Sequence, residues 1–222
     1  METMLSWLVG IILTVSPINQ QWSYPEANKE TSEERTERYR SISEDLLSVV
    51  YDPTEIPLVS REDPFARAKT ALVLLAIANY ESGFRRDVDF NLGAESRRDH
   101  GRSWCLMQVN LGAPSKAGKS PTRIVFTSNG TYEWAYDGTN GYGGEDLVRD
   151  RKLCFRAALH MVRVSFNACG KLPAEERLRV YASGTCSESA SKASRRRMRL
   201  AQHWMSNPRP KPPLMDLALV DM

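Results

Sequence analysis

Glu81, Gln108 and Asn110 are residues of this chain whose types and setting suit chemistry. Glu81 follows the apolar stretch Ala71 to Tyr80 and precedes Gly83, which can stop a helix. A carboxylate there faces the negative end of a helix dipole and is desolvated by apolar neighbours. Both effects favour its protonated form. A carboxyl that keeps its proton near neutral pH is what a general acid needs to protonate a leaving oxygen, and glycoside cleavage is the common use of such an acid. The plainer reading is a Glu that ends a helix in solvent. Gln108 and Asn110 can donate to and accept from sugar amides and hydroxyls, or can cap a turn.

The elements that must position these residues are mostly helical. Thr31 and Glu34 have the spacing of a capping box, and Ile42, Leu46, Val49 and Val50 fall on one face behind them. That helix should end at Asp52, because Pro53 disfavours the α conformation in its predecessor. Asp63 and Pro64 read as the N-cap and first turn of the next helix. Ala71 to Ala78 are all Ala, Leu, Val or Ile, which reads as a helix buried on every side or as a buried strand, with the alanines and the preceding Phe65-Ala-Arg-Ala-Lys favouring the helix. Ser103 to Asn110 is a short apolar segment, and Gly112 to Gly144 should hold short strands or a flap. A long helix is expected from Glu145 to near Cys169, a shorter one from Pro173 to Gly184, and a basic one from Ser194 to Met205. Leu5 to Val15 spans about 16 Å, too short for a membrane core of about 30 Å, and reads as signal-like or as a packed helix.

The 222 residues suit one domain with decorations, and 41% hydrophobic with 26% charged residues is ordinary globular composition. A net charge of +3 does not imply nucleic acid. Arginines cluster at Arg85, Arg86, Arg97, Arg98 and Arg102 and again at Arg195, Arg196, Arg197 and Arg199. Such clusters read as solvated faces or as attraction to a polyanion such as a bacterial wall. Four cysteines without a CxxC pair and three histidines make a metal site improbable.

Glu81-Ser82-Gly83-Phe84, followed by Cys105-Leu106-Met107-Gln108, resembles the signature of the soluble lytic transglycosylases. That family shares the lysozyme superfamily fold. Leu106, Met107 and Gln108 match its second motif, with Cys105 where the family usually has Gly. Tyr181-Ala182-Ser183-Gly184 resembles the third, with Ala182 and Ser183 where Asn-Ala is usual. The resemblance covers roughly residues 65 to 205. It implies a mainly α, lysozyme-like helical domain with a small irregular or β region, acting on peptidoglycan glycan strands. It implies no cofactor, no metal, no nucleic acid and no integral membrane span, in an exported or phage-associated setting. Glu81 would be the catalytic acid and then the base, forming a 1,6-anhydro end on MurNAc. Ser82, Met107, Gln108, Asn110 and Tyr181 would contact the substrate. A hydrolytic muramidase would instead need a second carboxylate about 6.5–9.5 Å away, with Asp87, Asp89 and Asp99 as candidates. Otherwise these aspartates pair with neighbouring arginines. A non-catalytic wall-binding or structural protein on the same fold is the third alternative.

Trp104, Tyr132, Trp134, Tyr136 and Tyr142 could stack on sugar rings or fill the core. The domain layout expected is a signal-like or packed segment over 1–16, a linker and N-terminal helix over 17–62, the catalytic domain over 63–206 and a Pro-rich tail over 207–222. Cys154 and Cys169 would lie about 22 Å apart on one helix and could not bond to each other. The pairs expected, if any form, are Cys105–Cys154 and Cys169–Cys186, which would favour an oxidising setting.

Overall fold

The structure, a computed structural model, describes residues 2–92, 101–136 and 138–206. Asp99, Arg97, Arg98 and the Pro-rich tail lie outside the described residues. The chain is mainly α with a small antiparallel β region. Helices α1 (Glu2–Val15), α2 (Ser32–Val50) and α3 (Ala66–Glu81) are followed by the short α4 (Arg86–Asp89). Two small hairpins come next. Strands β1 (Ser103–Trp104) and β2 (Val109–Asn110) pair with Trp104 opposite Val109. Strands β3 (Arg123–Phe126) and β4 (Tyr132–Ala135) pair with Ile124 opposite Trp134. Helices α5 (Gly144–Arg149), α6 (Arg151–Ala168), α7 (Arg179–Ser183) and α8 (Ser191–Ser206) complete the described chain.

The centre is α3. Ala71 to Ala78 are all buried, as a helix apolar on every side requires. It packs against α8, α2 and α6. Leu8, Ile11 and Ile12 of α1 are fully inaccessible and join the same core. Each such side chain contributes roughly 1.5–3 kcal/mol on burial. Among the described residues no helix is long and apolar enough to cross a membrane.

The capping box at the start of α2 is present. Glu34 N donates to Thr31 Oγ1 at 3.1 Å and Thr31 N to Glu34 Oε2 at 2.7 Å. Both expected disulfides form, Cys105–Cys154 and Cys169–Cys186, with Cα separations of 6.2 and 5.7 Å. Four elements differ from expectation, the first being the helix expected from Pro173 to Gly184, which is a 3₁₀ turn over Ala174–Glu176 followed by the short α7. The helix α3 starts at Ala66, because Asp63 Oδ1 accepts from Phe65 N in a turn before the helix and Oδ2 pairs with Lys69. The long helix expected from Glu145 is broken at Asp150. That residue is extended and its carboxylate accepts from Lys152 N and Leu153 N, starting α6 afresh. The last helix begins at Ser191, three residues earlier than its basic run suggested.

Candidate active site

Glu81 is the last residue of α3, and the chain turns away sharply behind it. Gly83 and Phe84 both have left-handed backbone, with φ of 59° and 55°. Gly83 is needed twice over. Its φ favours glycine, and a Cβ there would stand 3.0 Å from the Trp22 ring. The turn is fastened from two sides. Arg38 Nη1 donates to Phe84 O at 2.8 Å, and Ser16 Oγ donates to Gly83 O at 3.3 Å.

The turn leaves an open cleft of about 250 Å³ whose lining includes Trp22, Tyr80, Glu81, Gly83, Arg85 and Gln108. Trp22 comes from the segment expected to be a linker. Its backbone is clamped by Asn28, which accepts from Trp22 N at 2.9 Å and donates to Trp22 O at 2.8 Å. Arg85 is held over the Tyr24 ring at 3.9 Å and pairs with Asp87 at 2.5 Å.

Arg197 of α8 reaches Glu81, with Nη2 2.6 Å from Oε1. Burial pushes the Glu81 carboxyl above its ordinary value, and the charge and hydrogen bond of Arg197 oppose that without cancelling it. Tyr181 stands behind the acid. Its hydroxyl donates to Met107 O at 2.7 Å. Burial and the nearby Glu81 charge push the phenol well above its ordinary value, against a smaller pull from Arg197.

The Cys105–Gln108 turn brings the second motif to the same place. Cys105 and Gln108 are both left-handed, with φ of 56° and 51°. Gln108 donates to Cys105 O twice, from its backbone and from its side-chain amide, each at 3.0 Å. The disulfide to Cys154 of α6 anchors the turn from beneath.

The expected site residues therefore divide. Glu81, Ser82 and Gln108 line one cleft, and Tyr181 supports the Gln108 turn next to Glu81. Ser82 Oγ is spent on the backbone, donating to Ala78 O at 2.8 Å and accepting from Phe84 N at 3.3 Å. The Met107 side chain is fully buried, and only its carbonyl takes part. Asn110 is outside the cleft lining, and its Oδ1 accepts from Gly112 N at 3.3 Å as a turn cap. None of Trp104, Tyr132, Trp134, Tyr136 and Tyr142 lines the cleft. Trp104 is a core residue whose Nε1 donates to Gly112 O.

Asp87 and Asp89 are committed elsewhere. Asp87 is fully buried on Arg85. Asp89 takes two bonds from Arg151, at 2.9 and 3.0 Å, and lies 3.7 Å from Arg38. These pairs lock the segment after Glu81 onto α2 and α6. Among the described residues no group of three or more His, Cys, Asp or Glu could hold a metal ion.

Sequence reasoning missed Trp22 and Arg197. Trp22 carries no local signal, because only tertiary packing brings it beside Gly83. Arg197 was legible in the helical period. Ser194, Met198 and Ala201, at i−3, i+1 and i+4 from it, are all buried, so Arg197 belongs on the inward side of α8. Comparison with family models, with curated proteins and with solved structures finds no match.

Proposed function

We propose that this protein is a peptidoglycan lytic transglycosylase of lysozyme-like fold, cleaving the MurNAc–GlcNAc bond with Glu81 as general acid and then base. The observation that carries the reading is Glu81 itself: a mostly buried carboxyl with a raised pKa, at the wall of an open cleft. The three motifs of the resemblance support it by converging. Glu81 and Gln108 share the cleft, and Tyr181 bonds the backbone of the second motif. Cys105, which stands where the family usually has Gly, adopts the left-handed backbone that glycine adopts without strain.

In the first step protonated Glu81 gives its proton to the glycosidic oxygen as the C1–O bond breaks. In the second, the Glu81 carboxylate takes the proton of the MurNAc 6-hydroxyl as O6 bonds to C1. Glu81 ends protonated, and no water is consumed. Because the nucleophile is internal to the sugar, one carboxylate suffices. The ion pairing of Asp87 and Asp89 supports this single-carboxylate route over hydrolysis through either of them, Asp99 lying outside the described residues. The two disulfides support an exported, oxidising setting.

The test is digestion of purified peptidoglycan by wild type and Glu81→Gln, with mass analysis of the products. Anhydro ends, one water lighter than reducing ends and absent with Glu81→Gln, are expected. Reducing ends would make the protein a muramidase, and equal lysis by both proteins would remove Glu81 from the chemistry.

A further inference from the structure

Arg197 is held in place around Glu81 by more than one contact. Its Nη2 meets Glu81 Oε1 at 2.6 Å, its Nη1 donates to Ala193 O at 3.0 Å, and its guanidinium lies over the Tyr80 ring at 5.7 Å. The two partners of the ion pair are only 12% and 20% exposed, so solvent screens them little. Among the described residues Glu81 is the one carboxylate that Arg197 pairs with, and its buried Nε has no acceptor. Glu81 Oε2 has no hydrogen-bond partner among them either.

We propose that Arg197 is the positioning residue of this site: it grips Glu81 by Oε1, confines proton transfer to Oε2, and favours the ionised carboxylate that must take the second proton. The proposal rests on the acid/base reading of Glu81. A residue used first as acid and then as base needs opposed influences. Burial favours the acid, and the Arg197 charge favours the base. Among the described residues the other titratable groups around Glu81 do not supply that charge. Arg85 lines the cleft but is neutralised by Asp87, and the phenols of Tyr181 and Tyr80 cannot carry a positive charge in any protonation state.

The test uses the full chain with carbon-13 labelled glutamate, so that the Glu81 side-chain carboxyl can be titrated by NMR. Assignment uses Glu81→Gln. Wild type, Arg197→Met and Arg197→Lys are titrated, and wall lysis is followed against pH in parallel. Losing an opposite charge at this distance should raise the Glu81 pKa, and the alkaline limb of the lysis profile, by about one pH unit or more, with KM unchanged. Arg197→Lys keeps the charge and should return the limb most of the way to wild type. An unshifted limb and an unshifted carboxyl in a folded Arg197→Met would overturn the proposal. Should Arg197→Met fail to fold, Arg197→Gln decides, because it keeps hydrogen-bonding capacity without the charge: its limb and carboxyl shift upward, or the proposal is overturned. If wild type lyses no wall at any pH, the acid/base reading fails, while the NMR titration still reads the grip of Arg197 on Glu81.

Discussion

Glu55 and Glu81 are mostly buried carboxylates near opposite ends of α3, and the protein treats them in opposite ways. Glu55 sits by the start of the helix, where Arg67 Nη2 donates to its carbonyl at 3.2 Å. Its carboxylate meets His160 Nε2 at 2.9 Å, Arg156 Nε at 2.9 Å and Arg163 Nη2 at 3.7 Å. His160 Nδ1 then donates to Thr131 O at 2.7 Å, tying the β3–β4 turn to this cluster. Burial pushes Glu55 up, but its hydrogen bond to His160 and the charges of His160, Arg156 and Arg163 bring it below its ordinary value. Among the described residues Glu81 has one cationic partner, and burial wins. The contrast lies in the partners, since desolvation is the largest single influence on both. A buried carboxylate that is heavily paired holds the fold together. One that opens onto a cleft with Arg197 as its partner is, on the proposed reading, the proton donor.

Glu81→Gln should cut wall lysis most, by up to about 10⁴-fold, the range for losing a general acid–base group. Its melting temperature should stay level or rise. A group whose folded pKa is raised contributes stability that is present below its unfolded pKa of about 4.5 and is lost as pH rises through the folded value. The neutral amide removes that loss and still accepts a hydrogen bond from Arg197. An inactive variant that is also unfolded would erase the contrast between the two acids.

Glu55→Gln should do the reverse. Removing one member of a buried charge cluster costs about 3–5 kcal/mol by denaturant unfolding, with lysis per folded molecule retained. The pH dependence carries the opposite sign as well. Glu55, with a lowered pKa, contributes stability above about 4.5 that is lost as pH falls through its folded value. Unfolding free energy of Glu55→Gln should therefore fall less steeply in acid than that of wild type.

Smaller effects sharpen the Glu81 side. Replacing Cys105 and Cys154 together by Ala should cost about 2–4 kcal/mol, measured by thermal unfolding. Lysis should weaken beyond that loss, because Gln108 turns on the carbonyl of Cys105. Tyr181→Phe removes the bond to Met107 O and should cost about 1 kcal/mol, with a modest fall in lysis rate at substrate saturation.

Much of the scaffold was legible in the chain because its causes are local. The apolar, alanine-rich run Ala71 to Ala78 favoured a buried helix over a buried strand, Thr31 and Glu34 announced a cap three residues apart, and Ile42, Leu46, Val49 and Val50 announced a face. The break at Asp150 was hidden because the apolar periodicity runs on through it, while the capping carboxylate acts only on the two amides that follow. In the candidate site, Glu81 and Gln108 could be picked out as chemistry-bearing residues. Asn110 could not be told from a turn cap, because a side-chain amide suits either use.

The sequence by itself determined a central apolar helix ending in a carboxylate, the caps that start the chain's second helix, and cysteines whose spacing on one helix forbids Cys154 from meeting Cys169. These follow from backbone geometry and from the cost of leaving apolar side chains in water, and both act over a few residues. Only the tertiary structure decided which charge meets which. It set Arg197 on Glu81 across 116 positions and His160 on Glu55 across 105, and it folded Trp22 against Gly83. A carboxyl's proton affinity is set by desolvation and by charges within a few ångströms. Which charges come that close depends on how distant helices pack, and no local pattern records it.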